Sequence, residues 1–459
     1  MLGKVFERFV EKSPISVMVR ASLERVLGAD RLDQWFERTA QKQYTRELLF
    51  SSVYDLMNQV VFCVQPSVRA AYQAQQDDVG ASLVSVYNKL NNFETHTAAE
   101  LVRYSARELS LIITHMGGER TPWLAGYRTK IVDGNCLEAS DHRIHELREA
   151  TGRALPGKSL VVYEPAYGVV ADVLPCENGH AQERSLFGAL LKTVEAGDLW
   201  IADRNFCTRD FLCTIDKREA CFITREHRGL TFEIVDALHA CGSTETGSVA
   251  QQRINVIDEH GQVHRWRRVR IKLKQATREG ATIVHILTNL PFQVTGLQVA
   301  ELYRKRWTLE TAFQHLEAYF HSEINTLGYP KAALFGFCLA LVAYNVLAVV
   351  LAALRGVHGE ETVDDEVSLY YVANEIATTY HGMMIAIPAV EWDVFYAMSH
   401  ADLAAILLEL AHKVRLQAMR KSPPRRPRKS APQRKKPVRK GHVATAKLLM
   451  NRQAKFATP

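Results

Sequence analysis

Three acids stand out by position. Asp133 closes the apolar run "KIVDGN", Asp203 closes "LWIADRN", and Glu310 lies within "YRKRWTLETAFQHLEAYF", residues 303–320. An acid that ends a buried strand is delivered to a sheet edge, and two such strands side by side bring two acids together. A carboxylate on a later helix can reach the same point. Three converging carboxylates repel one another unless hard cations neutralise them; Mg²⁺ or Mn²⁺, held through oxygen ligands and water, is the natural counter-charge. Two such ions can bind a phosphodiester, activate water or a sugar hydroxyl and stabilise the leaving oxygen. Aspartate at a strand end is about as often a plain turn residue, and the chain holds 50 acids. The residues alone leave both readings open.

The stretch around Glu310 carries a second regularity. At about 100° per residue, Arg306 falls about 60° before Tyr303, Glu310 about 20° before it and Glu317 about 40° before it. All four share one stripe of a helix. Leu302, Leu309, Phe313, Leu316 and Phe320 gather on the adjoining stripe, the core face of an amphipathic helix.

The elements that must position these groups follow from periodicity. Residues 1–115 read as helices, with apolar residues at three-to-four spacing in "TRELLFSSVYDLMNQVVF" and "AAELVRYSARELSLIITHM". Between them, two short helical patterns broken at Asn91–Asn92, with Thr97 as a cap, are compatible with a DNA-reading helix-turn-helix or with simple packing. From residue 128 strands take over: "RTKIVDGN", "KSLVVYEP" and "GVVADVLP", then an amphipathic helix "AQERSLFGALLKTVEAG" closed by Gly197. "DLWIADRNF", "TRDFLCTIDKR" and "ACFITRE" continue as strand, helix and strand, the pattern of a mixed sheet with helices on its faces. Residues 226–290 are rich in strands, with a hairpin about His260–Gly261. The expected organisation is a helical region 1–120 that could bind DNA ends, a core 121–225, a β-rich insertion 226–290, a second core part 291–354, a helical region 355–412 that could dimerise, and a tail 413–459.

With 459 residues, 47% of them hydrophobic, the chain can bury a sizeable core in two or three domains. Its net charge of +7 is unevenly spread: residues 413–459 hold 16 Lys and Arg and no acid, leaving 41 basic against 50 acidic residues elsewhere. The Pro-interrupted basic tail is expected to be disordered and to hold phosphates by counterion release. Eight cysteines without a CxxC pair fit a reducing compartment. The N-terminus lacks a secretory apolar region, so a cytoplasmic, nucleoid-associated protein is expected. Residues 332–354 carry no charge over 23 positions, long enough to span a bilayer, but Asn345 near the middle favours a buried core helix and no membrane.

Taken together, "VDGN" at Asp133, "IADRNF" at Asp203 and "YRKRWTLE" ending on Glu310 closely resemble the DDE transposases of the insertion-sequence-four type. Their signature is Tyr-x2-Arg-x3-Glu-x6-Lys, and the resemblance spans roughly residues 40–350. It implies an α/β fold: an RNase H-like mixed-sheet catalytic core with a β-rich insertion between the second Asp and the Glu, flanked by helical N- and C-terminal regions. It further implies that Asp133, Asp203 and Glu310 bind catalytic Mg²⁺, for which Mn²⁺ can substitute. Tyr303 and Arg306 are then expected to contact DNA phosphate, and the protein to act as a homodimer on double-stranded DNA, on element ends and target. The implied reaction is cleavage at the element ends and transfer of the 3′-OH into target DNA. A hydrolysis-only nuclease of the same fold and a catalytically silent, DNA-binding transposition inhibitor are the rivals. One position departs: the signature lysine falls on Glu317, which would repel a phosphate; either Lys305 or another base takes its place, or the family's hairpin-processing step is weakened, or this copy is impaired. Relatives that cut through a hairpin stack an extruded base on an aromatic residue of the insertion. Trp266 is the candidate here, with Arg265, Arg267 and Arg268 as phosphate contacts; the competing reading packs Trp266 across its hairpin with the arginines solvated.

Overall fold

A computed structural model of the chain describes residues 3–43, 47–137, 140–277, 280–421 and 441–457. Its strands are β1 Arg128–Cys136, β2 Arg153–Leu155, β3 Lys158–Glu164, β4 Val169–Cys176, β5 Asp198–Ala202, β6 Cys221–Arg225, β7 Glu233–Ile234, β8 His239–Ser243, β9 Gly247–Ile257, β10 Val263–Leu273, β11 Ile283–Thr288 and β12 His442–Ala444. Ten of them form one sheet ordered β4-β3-β1-β5-β6-β11-β10-β9-β7, with β8 beside β9. The first three in that order are antiparallel, whereas β1, β5 and β6 run parallel. This 3-2-1-4-5 arrangement of the first five major strands is an RNase H-like core. The expected α/β class is the observed one.

The strand-rich segment after β6 is not a separate layer. β11 pairs antiparallel with β6, and β10 and β9 follow, so the hairpin extends the central sheet. The expected hairpin turn is present, with Gly261 at φ +80° between β9 and β10, a left-handed value that glycine adopts without strain.

One face of the sheet is covered by the helix Thr95–Met116 and the helix Pro330–His358. The second is the uncharged segment, and it is long and apolar enough to cross a membrane; 94% of its most apolar stretch is buried inside the protein. Asn345, fully buried, shows why this helix belongs to the fold. Its Oδ1 accepts from Val170 N–H at 2.7 Å and its Nδ2 donates to Val170 C=O at 3.0 Å and to Ser105 Oγ at 3.4 Å. The side chain thus joins three elements and satisfies a backbone pair inside the core.

Three expectations need correction. The segment 181–197 is not one amphipathic helix: a 3-10 turn Glu183–Leu186 precedes a short helix Phe187–Leu191. Phe187, Leu190 and Val194 still bury at helical spacing, but the N–H groups of 192–194 bond three residues back, and Arg218 takes the carbonyls of Leu191 and Val194. Next, Thr97 is no cap; Glu94 holds the N-cap position, and the buried Thr97 hydroxyl donates to its carboxylate. Finally, the expected disorder of residues 413–459 does not hold at their far end. β12 pairs in parallel with β2, and the following helix Thr445–Ala457 lays Leu448 and Leu449 against Ile144 and Leu147. Those residues have apolar positions to bury and no proline until Pro459; the densest basic part, 422–440, lies outside the described residues.

Candidate active site at the strand ends

The parallel pairing of β1 with β5 runs from Arg128 opposite Asp198 to Val132 opposite Ala202. One residue further, the same register sets Asp133 opposite Asp203. Neighbouring strands lie about 4.8 Å apart, so two carboxylates arrive together at the carboxyl ends of adjacent parallel strands, where α/β sheets carry their sites. Alternation picks the face. Ile131 and Ile201, two residues earlier on each strand, belong to the core that Leu309 and Leu316 complete. Both aspartates therefore point toward the helix Trp307–Tyr319, which bears Glu310.

The stretch 303–320 is not a single helix. Helix Gly296–Arg304, started by a capping box of Thr295 and Gln298, ends before Lys305, and Trp307–Tyr319 follows. The N–H groups of Arg306, Thr308 and Leu309 bond three residues back, which tightens the turn at the join. That join puts Arg306 at the centre of the acids. Its Nη1 donates to Asp133 Oδ2 and its Nη2 to Glu310 Oε1, both at 2.6 Å. The Tyr303 phenol also hydrogen-bonds Arg306, and burial pushes the phenol above its ordinary value.

The two aspartates are further fixed by backbone. Asp133 Oδ1 accepts from Gly134 N–H at 2.9 Å, and Asp203 Oδ1 from Asn205 N–H at 2.8 Å. The Asp203 carbonyl accepts from the hydroxyl of Thr224 on β6 at 2.7 Å. Glu183, which the sequence reading missed, closes the group. Its Oε2 accepts from Asn205 Nδ2 at 3.3 Å, and it presses on Gly134 so closely that a Cβ there would lie 2.3 Å from Oε1. No periodicity marks Glu183, because it sits in a 3-10 turn between strands.

The electrostatics record the crowding. Burial pushes the Asp133 carboxyl up to about 6; Arg306 pulls it down, while Asp203 and Glu310 push it up. Burial opposes the Arg306 charge, but Asp133, Tyr303 and Glu310 more than offset it and raise the guanidinium. The donor set, three carboxylates with no nitrogen or sulfur ligand, has the chemistry of a hard divalent cation's site. The arrangement does not: among the described residues no group of three His, Cys, Asp or Glu side chains is placed to hold an ion. Arg306 stands between Asp133 and Glu310 instead, so in this conformation the centre is an ion-paired cluster.

The remaining candidates separate clearly. Lys305 is exposed, with Nζ 5.0 Å from the ring of Trp123. Arg265 is exposed on β10. Glu317, at the signature lysine position, is exposed too. Trp266 is 1% exposed, edge-on to Phe222 at 4.9 Å, and its indole N–H donates to Asp216 at 3.2 Å. No base can stack on it in this fold. Arg267 is buried and donates to Gln251 and to the carbonyls of Pro291 and Val294. Arg268 makes a two-pronged pair with Glu226 at 2.6 and 3.1 Å. The expected phosphate roles of Arg267 and Arg268 are replaced by structural ones, since the insertion is covered on both faces. The exposed aromatic at the site is Trp307, directly after Arg306 and 57% exposed.

A mixed sheet of this order, with acids on β1 and directly after β5 and a third acid on a covering helix, is consistent with an RNase H-like transposase core. Residues 125–346 match the family model of the transposase DDE domain, slightly under half of the chain. The match takes in Asp133, Asp203, Arg306 and Glu310, and it supports a DDE transposase, an enzyme with nuclease and transposition activity. DDE transposases generally use divalent metals and act on DNA. No curated protein matches the chain.

Proposed function

We propose that the chain is a DNA transposase of the insertion-sequence-four type, which cuts phosphodiester bonds at the ends of its element and joins the freed 3′-OH to target DNA. The observation that carries this reading is the pairing of Arg306 with Asp133 and Glu310, with Asp203 near enough to push the Asp133 carboxyl up, inside the segment that matches the transposase DDE domain. Asp133, Asp203 and Glu310 would hold Mg²⁺ or Mn²⁺, which supplies Lewis-acid activation of the attacking oxygen and stabilises the leaving one.

The residues themselves set two conditions. Asp133 has to be ionised, which its raised pKa of about 6 allows at neutral pH. Arg306 has to release two carboxylates, and a DNA phosphate offers its fork a bidentate partner of comparable strength. Tyr303 holds Arg306 on this side of the helix, and exposed Lys305 and Arg265 add positive charge for the backbone. Arrival of DNA thus opens the acidic centre by giving Arg306 somewhere else to bind. A homodimer on paired ends completes the proposal.

Incubating the purified protein with Mg²⁺ and DNA carrying its element's ends, beside Glu310→Gln, tests it. Nicked and joined products from the wild type alone support the reading. Nicks without joined products point to a hydrolysis-only nuclease. DNA bound and left uncut by both proteins refutes the enzyme and leaves a DNA-binding protein.

A further inference from the structure

The helix that carries Glu310 has a second polar side. Thr308, Thr311 and His315 lie about 140–200° around it from Arg306, and they wall a cavity of about 130 Å³ shared with the helix Pro330–His358 and the β3–β4 turn. Arg120, Arg355, Tyr163 and Tyr344 line the other side. None of these groups has a part in the chemistry above.

Arg355 is the anomaly. Its side chain is 2% exposed, and its one hydrogen bond among the described residues runs from Nε to Gly118 C=O at 2.9 Å. Both terminal nitrogens are shielded from solvent and have no hydrogen-bond partner among the described residues. The Asp364 carboxylate stays 3.8 Å from Nη1, because Arg120 holds both its oxygens at 2.6 and 3.1 Å. Glu360 is turned to the N–H and hydroxyl of Thr121, each at 3.0 Å. Neither acid lines the cavity. A buried guanidinium with its fork unmet is costly, and that fork matches the oxygens of a phosphate-like anion.

We infer that this cavity binds one small tetrahedral oxyanion of phosphate type, gripped by the fork of Arg355 beside the Arg120 charge, with the Tyr344 hydroxyl exchanging its bond to Tyr163 for one to the anion. Size agrees. At about 30 Å³ per water the space equals roughly four waters, enough for a phosphate group and too little for a nucleotide. Burial, and then the neighbouring Arg120 charge, press the Arg355 guanidinium down to about 10, a repulsion that an anion relieves. Burial lowers His315 as well, so a neutral imidazole completes the wall near pH 7. The occupant bridges the long helix to the helix bearing Arg306 and Glu310, and so stiffens the catalytic element from behind. Free phosphate and the phosphate at a DNA terminus share this chemistry.

Equilibrium dialysis of the full chain against radiolabelled orthophosphate, in chloride buffer without divalent ions, tests the site apart from any cleavage. The wild type should bind about one phosphate per chain saturably, Arg355→Met should weaken it about tenfold or more, and Tyr344→Phe about threefold, as loss of one charged and one neutral bond requires. Tyr344→Phe keeps the test decisive should Arg355→Met fail to fold. No saturable binding, or binding unchanged in the folded variants, overturns the inference. Competition by a 5′-phosphorylated duplex but not by its 5′-hydroxyl twin assigns the site to a DNA terminus, and competition by neither assigns it to the free anion. Equal competition by both places the phosphate on the DNA-facing surface and overturns the cavity.

Discussion

Replacing Asp133 with asparagine isolates what its charge costs the fold. The carboxyl sits at about 6 in place of the ordinary 3.8, because burial, with Asp203 and Glu310 nearby, disfavours the anion more than Arg306 favours it. Two pK units correspond to about 3 kcal/mol, and with the side chain 20% exposed the discount for solvent is small, so about 2–3 kcal/mol is expected. The sign is that of an acid whose native pKa is raised. The folded protein holds the proton more tightly than the unfolded one, so the penalty is absent below pH 3.8, grows between 3.8 and 6, and is complete above 6. At about 2.1 cal/mol/K per residue, unfolding 459 residues carries about 1 kcal/mol/K, which turns the penalty into about 2–3 °C. Scanning calorimetry in EDTA should therefore find Asp133→Asn melting about 2–3 °C above wild type at pH 8, with most of the gain gone at pH 4.5. A difference that does not shrink toward pH 4.5, or a wild type that melts higher at pH 8, refutes the account.

Arg306→Met removes the group that occupies Asp133 and Glu310, so the DNA-free variant should bind Mn²⁺ about tenfold more tightly by titration calorimetry; equal or weaker binding argues against that competition. Asn345→Leu strips the Val170 N–H and C=O of their partners inside the core, at a cost of about 2–4 kcal/mol. A melting temperature within 1 °C of wild type would contradict that, by the roughly 1 kcal/mol/K above. Trp266→Phe keeps most of the packing on Phe222 but loses the bond to Asp216, so it should cost about 1–2 kcal/mol of stability and leave end-DNA affinity by fluorescence anisotropy unchanged. Weakened DNA binding with an intact melt would return Trp266 to the DNA.

The central sheet was legible because its strands are short apolar runs with an acid at the edge. Asp133 and Asp203 each follow such a run, and the shared offset of 70 residues in the β1–β5 register is what faces them to each other. The stripe logic for residues 303–320 grouped Tyr303, Arg306 and Glu310, which do touch, but it also took in the exposed Glu317 and assumed an unbroken helix. The three-residue bonds at the join re-phase Arg306, and only tertiary contact reveals that its fork meets two acids at once. The insertion misled for a related reason. In "VHRWRRVRIKL" every second residue faces one side, so His264 and Trp266 share a face while Arg267 joins Val269 and Ile271 on the other. Such a pattern reads as half solvated, yet both faces are covered, by helix Gly296–Arg304 on the Val269 side and by helix Arg209–Lys217 on the Trp266 side. Arg267 is buried on carbonyls more than 20 residues downstream, which no local pattern encodes. Arg355 was invisible likewise: a basic residue at a helix end is ordinarily a solvated favourable charge.

The helix Pro330–His358 also sets an order on the making of the protein. β4 is complete at residue 176 and the helix Thr95–Met116 earlier still, yet the face they share stays bare until this later segment is translated. At about 5–20 residues per second, the wait from residue 176 to 358 is about 10–35 s. During that interval the nascent chain displays an apolar surface, and it then presents a 29-residue segment that translocation machinery would also accept by length and hydropathy. Capture by the half-built sheet, sealed when Asn345 meets Val170, is what commits the segment to the folded enzyme.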